Sequence, residues 1–444
     1  MSTPKKPAVV DPDMAPAALL TYFEAVRDPR IERSRLHPLS SILVMSLCAI
    51  ICGAESFVGI EEWAKAKRSW LESFLELPNG IPSHDTIGRV LAALDPRALA
   101  KAFREWVEAV ARVTHGEVVA IDGKTLRRSF RQAGDGVFVH MVSAWATHNR
   151  VVLGQVRTEE KSNEITAIPR LLELLQLKGC LVTIDAMGCQ KDIAKRIVDG
   201  GADFFLAVKD NQPLLREALE DTFVAAGNNP EWKSKVDFDQ TENKGHGRIE
   251  LRRCWTTDRI EPLPGFQGWP EVKTLARIEV DRTIKGKTST EQRYYICSRR
   301  ELPAAEALGA SRSHWGIENS LHWVLDVAFN EDQCRVRVGH AAENFAVLRH
   351  LAINLLRSAP GKKLGAKTRR LIAASNEAFL EQVLAGAPVG GWCDCPGPRR
   401  PTDRRRFAPV DEGLGGRTLP TPAWPGSGAA GRVAIAAALT SSPS

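Results

Sequence analysis

The sequence lacks several features of secreted and membrane-spanning proteins. Its nine cysteines are odd in number and scattered along the chain, which argues against a disulfide framework and favours a reducing compartment. Residues 1–16 contain lysines but no apolar segment behind them, so no signal peptide is expected. The longest apolar run, Leu39 to Gly53, is interrupted by serines and is too short to span a bilayer, so it predicts a buried helix.

Two familiar zinc arrangements are missing as well. Cys393 and Cys395 stand in the C-terminal tail without a second pair of ligands, which excludes a zinc knuckle. His314, Glu318 and His322 could bind zinc from successive turns of one helix, but the H-E-x-x-H arrangement of metalloproteases is absent. Zinc is therefore the weaker interpretation of that helix.

The composition is that of a soluble globular protein with a sizeable core. The chain has 444 residues, of which 43% are hydrophobic and 25% charged, enough for two or three domains. The formal net charge of +7 favours a polyanionic partner, although a mild excess of cations can also serve solubility.

The chain divides into four parts by composition. Residues 1–15 are rich in proline and are predicted to be disordered. Residues 16–115 predict an all-helical N-terminal domain, whose cations leave open a DNA-binding, scaffolding or dimerisation role. Residues 116–386 predict a catalytic domain with a β-rich, cationic insertion at about 228–300. Residues 387–444 are rich in Pro, Gly and Arg and predict a disordered tail.

The region from about residue 117 predicts an α/β fold with a mixed sheet. Strands are expected at 118–122, 137–147 and 151–157, then at the run ending in Asp185 and at 203–208. Helices are expected between the later strands, and a long one from Leu302 to about Leu325 after the insertion. Hairpins followed by alternating helix and strand give a sheet flanked by helices. This order matches the ribonuclease H-like fold.

Two aspartates stand where buried strands end. Asp122 follows the apolar run 118–121, and Asp185 follows the apolar run 180–184. A carboxylate in such a position is costly unless something pairs with it. If the two strands are neighbours, the carboxylates lie side by side, which favours a shared proton or a bound divalent cation.

A third carboxylate lies on the predicted long helix. A spacing of four brings His314, Glu318 and His322 to one helix face, so Glu318 can face the two aspartates. Three such carboxylates would suit a two-metal phosphoryl-transfer site, with Mg²⁺ ions about 3.5–4 Å apart. Simpler interpretations stay open. Each aspartate could form a turn or a helix cap, the glutamate could be solvated or paired, and the histidines could be hydrogen-bonded core residues.

Six short motifs stand out within residues 15–385. They are Leu77–Thr86, Ile121–Lys124, Thr183–Gln190, Lys209–Gln212, His246–Arg248 and His314–Asn319. Together they resemble the DDE transposases of bacterial insertion sequences, in the group of H-repeat-associated proteins. The resemblance implies that Asp122, Asp185 and Glu318 are an acidic triad that binds two Mg²⁺ or Mn²⁺ ions in a ribonuclease H-like core.

The resemblance also implies an activity and its partners. An insertion-sequence transposase cuts DNA at the ends of its element by metal-assisted hydrolysis and joins the freed 3′-hydroxyls to target DNA. Its partners would be double-stranded DNA, as terminal inverted repeats and target, and a second copy in a homodimeric synaptic complex. It would act in the bacterial cytoplasm, on the nucleoid. A catalytically inactive or domesticated DNA-binding relative, and a metal-dependent nuclease without strand transfer, are the alternatives.

The sequence departs from related transposases around the glutamate. Those proteins often carry Tyr and Arg seven and four residues before it and Lys seven residues after it, where this chain has Ser311, His314 and Leu325. Phosphate contacts would then have to come from other residues. The predicted DNA-contacting residues are Lys124, Arg127, Lys209, His246, Arg248, Arg312, His314, Asn319, Arg335 and Arg337.

Overall fold

A computed structural model describes residues 15–110, 116–129, 138–159, 163–245, 247–260, 264–359, 361 and 364–385. The predicted disordered segments, apart from Ala15, lie outside these ranges, as does His246. The N-terminal helices are α1 (Ala15–Glu24), α2 (Leu39–Ile51), α3 (Phe57–Ala66), α4 (Arg68–Leu71), α5 (His84–Ala93) and α6 (Pro96–Val110). The later helices are α7 (Glu164–Glu173), α8 (Lys191–Asp199), α9 (Pro213–Asn228), α10 (Pro230–Lys233), α11 (Ala304–His314), α12 (Trp323–Phe329), α13 (Ala341–Ser358), α14 (Ala366–Ser375) and α15 (Glu377–Ala385).

The strands of the described residues form one mixed sheet. They are β1 (Val118–Leu126), β2 (Val139–Ala146), β3 (Val151–Arg157), β4 (Leu181–Ile184), β5 (Asp203–Val208), β6 (Asp237–Gly245), β7 (Arg248–Thr257), β8 (Thr274–Ile284) and β9 (Lys287–Cys297). Their order is β3-β2-β1-β4-β5-β9-β8-β7-β6. The pairs β1–β4 and β4–β5 are parallel, and the others are antiparallel. The predicted α/β class with a mixed sheet is confirmed.

Strand β1 is longer than its apolar run predicted. Its first part pairs in parallel with β4, from Val118–Leu181 to Ile121–Ile184. Beyond Ile121 it continues alone along antiparallel β2, as far as Leu126. Asp122 therefore lies inside a strand rather than at its tip, because β2 supplies hydrogen-bond partners after β4 has ended.

The β-rich region does not form a separate module. Strand β9 pairs with β5, from Phe205–Cys297 to Val208–Tyr294, and β8, β7 and β6 follow outward in antiparallel order. The predicted insertion therefore extends the central sheet. Residues Tyr294–Cys297 of β9 therefore have their backbone paired on both sides, whereas residues 287–293 pair with β8 alone.

The helix predicted from Leu302 to Leu325 is interrupted at the candidate glutamate. Helix α11 ends at His314, a π-helical turn spans Glu318–His322, and α12 follows. A π turn holds one more residue than an α turn, and such turns are frequent at functional sites. Asn330, at a φ of 51°, then ends α12.

The N-terminal helices share their core with the C-terminal ones. Helix α2 is buried almost throughout and packs against α13, which also packs on α5 and α6. Most buried apolar side chains of these helices and of β1–β5 belong to one contiguous cluster, and smaller clusters hold the rest. Within the described residues one segment, Glu32–Ile51, is long and apolar enough to cross a membrane, but 72% of it is buried inside the protein. This agrees with the predicted buried helix.

Candidate active site

The three predicted carboxylates face one cavity of about 120 Å³. Asp122 comes from β1, Asp185 follows β4, and Glu318 opens the π turn. Since Ile121 pairs with Ile184 in parallel register, Asp122 and Asp185 occupy the next register position of adjacent strands. Neighbouring strands lie about 4.8 Å apart, so the two carboxylates are neighbours, as the sequence predicted.

Asp185 combines two of the proposed roles. Its Oδ1 accepts hydrogen bonds from the backbone N–H groups of Met187 at 3.0 Å and Gly188 at 3.3 Å, so it caps the short 3₁₀ turn that follows β4. The same side chain lines the cavity. Burial raises the pKa of Asp185, while these N–H groups and the charge of Lys209 act in the opposite direction. The cap thus fixes a carboxylate that still faces the cavity.

Asp122 is the most strongly perturbed carboxyl of the site. Burial, followed by the charge of Glu164 and then those of Asp185 and Glu318, raises the pKa of Asp122 to about 7. Its side chain is 19% exposed. Crowded carboxylates raise one another's pKa unless a cation intervenes. Strongly perturbed groups in a cleft are typical of functional sites.

Glu164 is a site residue that the sequence did not reveal. It lies in the first turn of α7, and its Oε1 is 2.8 Å from Nε2 of His140, whose Nδ1 is 2.8 Å from Oγ1 of Thr125. A Cβ at Gly123 would lie 2.2 Å from this Glu164 oxygen and 2.4 Å from Nε2 of His140. A larger residue at Gly123 would therefore force Glu164 and His140 to move. The sequence predicted a helix from about residue 165, but not that its first turn meets β1.

The two histidines of the helix face contact different strands. Nδ1 of His314 is 3.2 Å from Oγ1 of Thr183 on β4, and Nδ1 of His322 is 3.5 Å from a carboxylate oxygen of Asp122 on β1. Burial lowers the pKa of each histidine to about 4, so both are neutral at pH 7. The histidines hold the helix against the sheet, and they do not converge on a common zinc position.

The donor set suits a hard divalent cation. The triad offers carboxylate oxygens, the ligands that Mg²⁺ and Mn²⁺ prefer. The like charges that raise the pKa of Asp122 carry a free-energy cost that a bound dication would relieve. Across the described ranges, no three His, Cys, Asp or Glu side chains stand close enough together to hold an ion as they are. Glu318 is exposed on its helix and is the side chain with room to move toward the aspartates.

Comparison with known proteins decides the family. The family model described as "Transposase DDE domain" matches residues 114–355, and the one described as "DDE_Tnp_1-associated" matches residues 20–107. The chain belongs to the DDE transposases. The resemblance predicted from its motifs is confirmed, and the family implies the use of divalent metal ions.

Relatives of this transposase include proteins of the H-repeat type. "Putative transposase YncI" of Escherichia coli O157:H7 is 44% identical over 383 residues, which cover 85% of this chain and 97% of the relative. "H repeat-associated putative transposase YhhI" of E. coli strain K12 is 40% identical over 375 residues, which cover 83% of this chain and 98% of the relative. Among solved structures, a piggyBac transposase synaptic complex with hairpin DNA matches with a TM-score of 0.38 and 11% identity, covering 85% of this chain and 82% of that one. That likeness is too low to bear on the fold.

Lys124 of the transposase does not have the predicted role of a DNA contact. Its Nζ lies 2.7 Å from a carboxylate oxygen of Asp326, 3.1 Å from one of Asp332 and 3.4 Å from one of Glu331. The side chain is only 10% exposed. Lys124 therefore joins β1 to α12 and to the segment after it, and these carboxylates occupy the ammonium group that was predicted to contact phosphate.

The other predicted DNA contacts are spread over the surface. Lys209 and His314 line the cavity with the triad. The remaining described ones, which do not line it, are Arg127, Arg248, Arg312, Asn319, Arg335 and Arg337. Arg127 is paired with Asp332 at 3.3 Å, and Nε of Arg337 donates to the carbonyl of Arg128 at 2.9 Å. Whether the exposed members contact DNA stays a prediction, and His246 lies outside the described residues.

Most cations of the β-rich region are neutralised within the sheet. Arg252 pairs with Glu250, which also accepts from Arg282 at 3.0 Å, and Arg253 pairs with Glu279 at 2.6 Å. Cross-strand pairs of opposite charge stabilise a sheet. Of the cations in this region, Arg293 lines the cavity and is the candidate for binding phosphate.

The lining of the cavity includes three residues to which the sequence assigned no role in the site. They are Arg293 and Tyr295 on β9 and Trp315 after α11. The Tyr295 hydroxyl lies 2.9 Å from Oγ of Ser311, and the Arg293 guanidinium carbon lies 4.9 Å from the centre of the Trp315 ring. Strand β9 thus brings a phenol and a guanidinium beside the helix that carries the glutamate. The signal in the sequence was the spacing of two between Arg293 and Tyr295, which brings both side chains to one face of a strand.

Proposed function

We propose that this transposase cuts DNA at the ends of its element and joins the freed 3′-hydroxyls to target DNA. The observation that carries the proposal is the shared cavity of Asp122, Asp185 and Glu318, which belong to three separate elements of a DDE transposase. The strand order β3-β2-β1-β4-β5 supports a ribonuclease H-like core, with the aspartates at adjacent positions of its two central strands.

The chemistry divides between the carboxylates and their supports. Two Mg²⁺ or Mn²⁺ ions held by the triad would lower the pKa of an attacking water or 3′-hydroxyl and stabilise the leaving oxygen. Asp122 and Asp185 would provide the oxygen ligands fixed by the sheet, and Glu318 the one from the helix. The protein needs no nucleophile of its own. His314 and His322 orient the helix, and Glu164 adds negative charge next to Asp122.

The partners follow from the reaction. The substrate is double-stranded DNA, as the terminal inverted repeats of the element and as target. Joining two ends in one event calls for a synaptic complex, for which we propose a homodimer acting on the nucleoid in the bacterial cytoplasm. The net charge of +7 supports association with a polyanion.

A second candidate is a DNA-binding relative without catalysis. One relative of the chain, 36% identical over 74 residues, is named "Inactive transposase YbfQ". The presence of all three carboxylates in one cavity argues against this alternative here. A nuclease that cuts without joining is the remaining alternative, because cutting and joining use the same site.

One assay separates these functions. Purified protein is incubated with labelled duplex carrying an element end, target DNA and Mg²⁺. Joined products are expected, whereas cut products alone would indicate a nuclease and a shifted, uncut band an inactive binder.

The matched variant is Asp185→Asn, which keeps the shape and the cap of the 3₁₀ turn but removes the charge. It is expected to lose cutting while its affinity for the labelled end changes little. Full cutting activity in this variant would show that the triad assignment is wrong.

A further inference from the structure

Two cations line the same cavity as the triad, Lys209 and Arg293. The last pair of β5 and β9 is Val208–Tyr294, and Lys209 and Arg293 are the residues that follow this pair on the two segments. The charges of both cations lower the pKa of one carboxyl, that of Glu291, so both lie near it. Neighbouring like charges repel each other, and an anion between them relieves this repulsion.

The anion in the free protein is Glu291. Its two carboxylate oxygens accept from Nε and Nη2 of Arg293, both at 2.8 Å, which is the bidentate geometry that a phosphate also adopts. The hydrogen bonds from Arg293, together with the nearby charges of Arg293, Lys209 and Arg282, lower the pKa of Glu291. The Glu291 side chain is 53% exposed, and exposed ion pairs contribute little free energy. A stronger anion can therefore replace it at small cost.

The guanidinium is held in position independently of Glu291. It stacks on the ring of Trp315, and the next residue on the same side of β9 is Tyr295, whose ring stacks on Phe205 at 4.5 Å between centres. The backbone of Arg293 pairs with Ile278 of β8, and the adjacent Tyr294 pairs with strands on both sides. Lys209, in contrast, is exposed, and its ammonium group makes no hydrogen bond or ion pair with any residue that the structure describes. One fixed cation and one free cation thus flank the acidic site.

We propose that Arg293 and Lys209 bind a backbone phosphate of DNA next to the bond that is cut, and that Glu291 fills this phosphate site until DNA displaces it. The proposal deepens the proposed function and rests on it. Its chemistry is that of a phosphodiester, because two cations beside a metal-binding carboxylate cluster can hold a phosphate whose neighbour meets the metal ions. Glu291 then acts as an internal competitor.

The test is binding of a labelled duplex that carries an element end, measured by fluorescence anisotropy in EDTA over a range of salt concentrations. Arg293→Gln is expected to weaken binding about tenfold or more. It should also lower the slope of log affinity against log salt by about 1. Glu291→Gln is expected to strengthen binding about two- to fivefold. The double variant should bind like Arg293→Gln alone, because the competitor matters only while Arg293 is present.

The matched controls are Lys195→Gln and Asp199→Asn, which break an exposed ion pair of 2.8 Å on α8, away from the cavity. Melting temperatures verify that each variant is folded. If Arg293→Gln does not fold, Glu291→Gln still decides the test, because Glu291 is exposed and its replacement should leave the fold intact. If Glu291→Gln binds no tighter than Asp199→Asn, the proposal is wrong. If the wild type cuts and joins ends while the Arg293 and Glu291 variants bind DNA like the controls, the proposed phosphate site is wrong and the proposed function stands. A wild type that neither binds nor cuts element ends overturns the proposed function and this site together.

Discussion

Asp122 shows how the surroundings of one carboxyl set its protonation. Burial and three neighbouring carboxylates raise its pKa from 3.8 to about 7. The folded protein then binds more protons than the unfolded chain between these values, so its stability falls as pH rises through this window. Each pKa unit corresponds to about 1.4 kcal/mol, so the cost above about pH 7 is a few kcal/mol at most.

Replacing Asp122 by Asn should therefore stabilise the metal-free protein, and more so in alkaline than in acidic buffer. We expect the melting temperature of Asp122→Asn to exceed that of the wild type by several degrees above about pH 7, and by less near pH 5. Thermal melts in EDTA at the two pH values measure this. Asp199→Asn, on the exposed face of α8, should show no such dependence. An equal gain at both pH values would mean that Asp122 is ionised throughout.

Lys124 leads to the opposite expectation, because its charge is needed by three carboxylates. In Lys124→Ala, the buried Glu331 loses one of its two cationic neighbours, Asp326 loses its partner, and Asp332 keeps only Arg127. Breaking such a buried set costs about 3–5 kcal/mol. We expect a marked fall in the melting temperature. The slope of log DNA affinity against log salt concentration should be unchanged in the folded variant. A slope lowered by about 1 would show that Lys124 contacts a phosphate after all.

At the scale of elements, the π turn sets the direction of Glu318. Upstream of the turn, His314 of α11 contacts Thr183 of β4, and at the end of the turn Nδ1 of His322 lies 3.5 Å from a carboxylate oxygen of Asp122 on β1. Removing one residue converts a π turn into an α turn and rotates what lies on one side by about 100° relative to the other. The extra residue therefore allows the glutamate and both histidines to face the sheet together.

Deletion of the exposed Asn319 tests this geometry. We expect a protein with a near-normal circular dichroism spectrum that has lost metal-dependent cutting of element ends. The control is Asn319→Ala, which keeps the π turn but removes the same side chain, with its hydrogen bond of 3.2 Å to the carbonyl of Trp315 and its predicted DNA contact. Normal cutting by the deletion variant would show that the turn has no positioning role.

The same elements show what the sequence could and could not reveal. The apolar runs before Asp122 and Asp185 predicted both strands, since burial on two faces requires such runs, but left their adjacency as a condition that the pairing of β1 with β4 meets. Strand β9 was missed because residues 287–292 are polar and exposed on both faces and have no hydrophobic period. Glu164 was missed because its neighbours come from β1 and β2, and the contact depends on how α7 packs on the sheet. Local patterns thus predicted elements, whereas contacts between distant segments needed the structure.

At the scale of the whole molecule, the two ends of the described chain complete each other. Asn344 of α13 donates to the carbonyls of Leu91 and Leu94 at the end of α5, at 2.9 and 2.8 Å. Arg370 of α14 donates to the carbonyl of Ile50 at the end of α2, at 2.8 Å. Helix ends buried without partners are costly. The N-terminal helices therefore depend on side chains more than two hundred residues away. In turn, α13 is buried by packing against α2, α5 and α6.

This dependence predicts the outcome of truncation. Residues 116–385 expressed alone would expose the faces of α13 that pack on α2, α5 and α6. We expect an aggregating product without a cooperative thermal transition, as measured by size-exclusion chromatography and calorimetry. Residues 15–385 serve as the control and should melt as one unit. A soluble, cooperatively melting 116–385 fragment would show that the two parts fold independently.

The hairpin of β8 and β9 has one more consequence. Its tip, Lys285 and Gly286, has positive φ at both residues, the geometry of the tight two-residue turns that keep paired strands in strict step. From Gly286 to Arg293 the strand advances about 24 Å, at about 3.4 Å per residue. The two strands can therefore change length only in matched steps: an insertion that keeps them paired adds one residue to each strand and moves the tip about 3.4 Å farther from Arg293.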